Sequence, residues 1–118
     1  MINVVSVRVG TKYPIEYVTR LHDGIARHLA AEASHWCLTD DPESLPEGIT
    51  AIDHNPGLPG WWQKVFLFDA EDMPWSKGDE VLYMDLDVCV TGRLEGLPHG
   101  IIKDWHWPCY NSSVMPLA

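Results

Sequence analysis

The stretch YMDLDVCV, residues 83–90, sets Asp85 and Asp87 one residue apart inside an otherwise apolar run. In an extended chain, residues i and i+2 point to the same face, so the two carboxylates converge. Acids this close repel, and one is driven to hold its proton unless a cation neutralises the pair. An unpaired buried carboxylate is costly. These acids therefore face water or hold something positive. A hard divalent ion suits them, because Mg²⁺ and Mn²⁺ prefer oxygen ligands and keep positions open for substrate phosphates. The plain alternative is two solvated acids at a strand end.

The surrounding elements must place that pair. INVVSVRV (2–9) is a β-branched run stopped by Gly10 and predicts a buried strand. Pro14 suits the start of a helix. Ile15, Val18, Leu21, Ile25 and Leu29 then form one apolar face that fades near Ala31. SHWCLTD (34–40) and ITAID (49–53) predict two more strands, with loop chemistry between them. WWQKVFLFDA (61–70) predicts a short helix, with Trp62, Val65, Phe66 and Asp69 at helical spacing. EVLYMDLDV (80–88) predicts the central strand. Val81 and Tyr83 lie on one face and Leu82, Met84 and Leu86 on the other, a pattern for a strand covered on both sides. GIIKD (100–104) and YNSSVMPLA (110–118) predict two last short strands joined by an aromatic-rich loop. The alternation gives an α/β class with a mostly parallel sheet and flanking helices. In such sheets ligands bind outside the carboxyl ends of the strands, where Asp85 and Asp87 fall.

With 118 residues the chain is read as one small domain, 1–118. Its net charge of -9 argues against a nucleic-acid partner, which needs clustered Lys and Arg. Cys37, Cys89 and Cys109 are odd in number and lie in apolar surroundings, so they are read as reduced core residues of a cytoplasmic protein. No stretch reads as a signal peptide or a transmembrane helix. The Asn111-Ser112-Ser113 glycosylation match means nothing in a cytosolic chain.

Taken in order, VRVGTKYPIEYVTRLHDGIARHL, HWCLTDDP, LPGWWQKVFLF, VLYMDLDVCVTGRLEGL and the closing NSSVM resemble bacterial GT-A glycosyltransferase-like proteins related to glycosyltransferase family 8. The strongest pieces are V-L-Y-M-D-L-D-V with its trailing T-G-R-L, and the first strand with G-T-K-Y. The resemblance implies a nucleotide-diphospho-sugar transferase fold of Rossmann-like type. It also implies a nucleotide-diphosphate sugar held through Mn²⁺ or Mg²⁺, with transfer to a saccharide or other hydroxyl acceptor. By similarity, Asp87 coordinates the ion and Asp85 touches the ion or the ribose. Gly10, Thr11, Lys12 and Tyr13 match the loop that packs base and ribose, and Asp40 faces the same pocket. Lys64 reaches the diphosphate or donor sugar, and Asn111, Ser112 and Ser113 lie on the sugar and acceptor side. No catalytic base or nucleophile is singled out.

Each residue also has a plain reading. Gly10 ends a strand, Tyr13 staples the start of a helix, and Asp40 caps a turn. Lys12 and Lys64 are surface charges, Ser112 and Ser113 are strand residues, and Trp61 and Trp62 are core, the alternative being that one of the two lines the sugar site. A zinc site from Asp104, His106 and Cys109 lacks paired spacing and a fourth ligand. Trp105 and Trp107 flank His106 and fit an aromatic loop over a sugar ring or a core edge. A haloacid-dehalogenase-like phosphatase, with Asp85 as nucleophile, is the rival enzyme. It places its D-x-D early and follows it with Thr or Val, where this chain has Cys89. The apolar V-M-P-L-A ending suggests the donor-binding portion of a longer domain, or a non-catalytic or truncated nucleotide-binding module.

Overall fold

A computed structural model of the chain describes residues 2–54, 56–58, 62–68, 72–76, 78–96, 100, 102–103 and 110–117. The first strand, β1 (Ile2–Arg8), leads through Gly10 into helix α1 (Ile15–His28). Strand β2 (Ala33–Thr39), a single 3₁₀ turn at Pro42–Ser44 and strand β3 (Ile49–Asp53) follow. After the short helix α2 (Gln63–Phe66) comes β4 (Glu80–Met84). Strands β5 (Ile102–Lys103), β6 (Tyr110–Asn111) and β7 (Val114–Leu117) complete the described elements.

Five strands form one sheet in the order β3-β2-β1-β4-β7, and β5 and β6 pair separately. The β3-β2-β1-β4 pairings are parallel, and β7 runs antiparallel to β4. The class is mixed α/β with a mostly parallel sheet. The chain steps outward from β1 to β2 and β3, then returns to lay β4 on the opposite side of β1. The strand order reverses between β1 and β4, and in open α/β sheets that reversal opens a crevice at the carboxyl ends.

The period-2 pattern of the central strands explains the two cores. Val4, Cys37, Leu82 and Met84 point to one face and pack under Val18, Leu21 and Ile25 of α1. Val5, Leu38, Val81, Tyr83 and Met115 point to the other, where they pack with Leu67 and Met73. Each fully buried Val, Ile or Leu contributes about 1.5–3 kcal/mol relative to exposure. The α1 stripe read from the sequence supplies this packing, with Val18, Leu21 and Ile25 buried.

Several expectations need correction. The strand at 80–88 stops at Met84. The Asp85 N–H still donates to the Ser113 carbonyl at 2.8 Å, but the Val88 N–H donates back to the Asp85 carbonyl at 3.2 Å and closes a turn. Asp is favoured at the first position of such turns. Residues 110–117 divide into β6 and β7. Cys37 is buried, but Cys89 is exposed and is no core residue. Trp62 is also exposed. Trp61, Asp69, Asp104, Trp105, His106, Trp107 and Cys109 lie outside the described residues. Among the described residues, no helix is long and apolar enough to cross a membrane.

Candidate functional site

The crevice at the strand reversal is a cleft of about 760 Å³. One side comes from the end of β1 and the loop after it: Arg8, Gly10, Lys12 and Tyr13. The end of β4 contributes Tyr83, Asp85 and Asp87, and β7 with its approach contributes Ser112 and Met115. The α2 region contributes Lys64 and an apolar wall of Trp62, Val65 and Phe68. These three side chains are 45%, 46% and 58% exposed, although each is large and apolar.

The turn at Asp85 changes how the two acids are presented. Leu86 is buried in the α1-side core and anchors the turn between them. Asp85 is half-buried and Asp87 is exposed. The geometry of an extended strand therefore does not apply, because the chain bends at the first acid.

Asp85 has its positive partner within the protein. Lys64 Nζ donates to Asp85 Oδ1 at 3.1 Å and to Ser112 Oγ at 2.9 Å. The ammonium also lies 5.3 Å from the centre of the Tyr83 ring. The Tyr83 hydroxyl donates to the same Asp85 Oδ1. Burial, and then the Asp85 carboxylate beside it, push the Tyr83 phenol far above its ordinary range, so it remains a donor. Asp87 carries a lighter contact, the Tyr13 hydroxyl donating to its Oδ2 at 3.5 Å. Lys12 lies 5.5 Å from the Tyr13 ring centre.

Gly10, Lys12, Tyr13, Lys64, Asp85, Asp87 and Ser112 are thus brought to one cleft from four separate sequence segments. Thr11, Asp40 and Ser113 do not line it. Asp40 instead accepts the Gly10 N–H at 3.1 Å, bracing the loop whose Gly10 has a φ of +83°. Ser113 acts through its backbone carbonyl on Asp85. Asn111 lies in β6, which pairs with β5 and not with the five-stranded sheet.

Arg8, Tyr83, Val65 and Phe68 were missed. Tyr83 was recoverable, since it stands two residues before Asp85 on an alternating strand. Arg8 had a signal too, as a charge at the end of the apolar run before Gly10. Its Nε donates to the Tyr13 carbonyl at 3.0 Å and its guanidinium lies 3.7 Å from Asp41.

The charge balance of the cleft departs from that of the chain. The protein has 8 Lys and Arg against 17 Asp and Glu. Arg8, Lys12 and Lys64 line the cleft against only Asp85 and Asp87. No protein-family model, no curated protein and no solved structure matches this chain.

Proposed function

We propose that the chain is the donor-binding portion of a GT-A-type glycosyltransferase that holds a nucleotide-diphosphate sugar in this cleft with Mn²⁺ or Mg²⁺. The observation that carries the reading is the local reversal of charge. A strongly acidic chain lines one cleft at the strand reversal with Arg8, Lys12 and Lys64, together with the D-x-D turn and an apolar wall. A ligand with an anionic centre and flat or apolar flanks fits such walls.

The donor set suits a hard divalent ion that keeps part of its shell for other oxygens. Among the described residues no group of three or more His, Cys, Asp or Glu is clustered for a metal. Mg²⁺-type ions are commonly held by one or two carboxylates plus substrate phosphates. Asp87, exposed and lightly engaged, is the main protein ligand in this reading, and Asp85 supports it. When bound, the ion supplies Lewis-acid stabilisation of the leaving diphosphate. Lys64 and Lys12 add charge to the same oxygens. Tyr13 and the wall of Trp62 and Phe68 orient base and sugar, and Ser112 donates to a sugar hydroxyl. The acceptor is a saccharide or another hydroxyl compound.

Calorimetric titration with nucleoside-diphosphate hexoses carrying each common base, with and without Mn²⁺, tests this. Binding is expected to require the ion. Changes outside a metal's direct ligands already cost about 10–100-fold in affinity, so Asp87→Asn should lose more than about tenfold with its circular dichroism unchanged. Equal binding by Asp87→Asn, or no binding of any donor with Mn²⁺, removes the reading.

A further inference from the structure

We propose that Lys64 is an exchangeable counter-ion, holding Asp85 until a divalent ion takes its place and then gripping the ligand's diphosphate. The inference rests on the reading above and deepens it. Lys64 Nζ is fixed by Asp85 Oδ1 at 3.1 Å and Ser112 Oγ at 2.9 Å, on the wall of the cleft. A lysine is a compact point charge on a flexible stem, so it changes partner without moving the backbone. Asp85 Oδ1 already accepts from both Lys64 and the Tyr83 hydroxyl, and like charges repel, so a divalent ion on that carboxylate competes with the ammonium for it. Ion binding at the D-x-D turn therefore releases Lys64 from Asp85.

The released ammonium stays on the cleft wall, where an anion is its natural new partner. Ion and diphosphate then favour each other through the protein as well as through direct contact. By linkage, each raises the other's affinity by the same factor. Tyr83 makes the exchange tolerable for Asp85. Its hydroxyl keeps donating to Oδ1 whichever cation is present, so the half-buried carboxylate is never left bare.

The test compares metal and anion separately. Lys64→Met removes the competing cation, and it is expected to bind Mn²⁺ alone at least about fivefold tighter than wild type, the low end of ordinary coupling. With Mn²⁺ saturating, the same variant should bind nucleoside diphosphates more weakly. Asp85→Asn gives the converse and stands even if Lys64→Met fails to fold. Freed of its partner, Lys64 should bind inorganic pyrophosphate in chelator-treated protein tighter than in wild type. The gain should exceed that in Asp87→Asn, which deletes the same charge without freeing a lysine.

Wild-type binding of nucleoside diphosphate with Mn²⁺, combined with no gain in Mn²⁺ affinity in Lys64→Met, overturns the exchange alone. Equal pyrophosphate gains in Asp85→Asn and Asp87→Asn do the same. If neither wild type nor Lys64→Met binds a nucleoside diphosphate in the presence of Mn²⁺, the exchange and the functional reading both fall.

Discussion

Acid should destabilise this protein through a buried histidine that does not line the cleft. His22, on α1, is 3% exposed. Its Nε2 meets Ser6 Oγ at 2.8 Å and its Nδ1 meets His35 Nδ1 at 2.9 Å. A charged His22 can donate to both partners, so hydrogen bonding alone does not forbid protonation. Burial does, and the neighbouring His35 adds to it, lowering the His22 pKa from 6.5 to about 3. His35 is lowered as well by burial, with Asp23 opposing. The sign follows from linkage. Above about pH 6.5 both folded and unfolded chains hold His22 neutral, and its full contribution is present. Below that, the unfolded chain takes up a proton that the folded chain refuses, until the pH falls through about 3. Each pH unit in the window removes somewhat more than about 1 kcal/mol, so the loss is on the order of 3 kcal/mol by pH 4. That is a large part of a typical stability of about 5–15 kcal/mol. Urea unfolding from pH 7.5 to 4, for wild type and His22→Gln, measures it. The variant should start less stable at pH 7.5 but lose distinctly less on acidification. Parallel pH profiles, or an NMR titration placing His22 near 6.5, would refute the reasoning.

Two further changes test the fold around the cleft. Ile25→Ala removes a fully buried side chain between α1 and the sheet and should cost about 2–5 kcal/mol in urea unfolding. Gly10→Ala meets no atom within 4 Å, yet Gly10 has a φ of +83°. It should therefore cost about 1–2 kcal/mol through backbone strain alone, and Gly10→Asn, which tolerates that region better, should lose less.

The sheet was legible where both strand faces are apolar. Val4 and Val5, or Leu82 and Tyr83, leave little alternative to a doubly covered strand. Periodicity failed where it had few residues to work with. Over the four residues of α2 it could not tell which side is buried. Gln63 and Leu67 turn inward while Trp62 and Val65 face the cleft. It also ran through Asp85, where a buried Leu86 keeps the apolar alternation going past a turn that only hydrogen bonding reveals. Pro116 was a usable sign that the last strand lies at a sheet edge, since Pro cannot complete a ladder on both sides. It sits in β7, the outermost strand beside β4.

The candidate site was legible in its acids and not in what neutralises Asp85, because Lys64 lies 21 residues away and no local pattern joins the two. A structural role explains that pair poorly. With side chains 22% and 28% exposed, Lys64 and Asp85 are too solvated for strong attraction and too buried to escape some desolvation. Pairs of this kind add about 0–1 kcal/mol. The neighbouring wall of Trp62, Val65 and Phe68 leaves apolar surface in water, which favours folding no better. Local rules that fail for stability are expected where a site is built. Here a weak ion pair, an uncovered apolar wall and a reversed charge balance meet at one cleft, at the point where the strand order turns back. A ligand that takes all three at once needs an anionic centre beside a flat or apolar part.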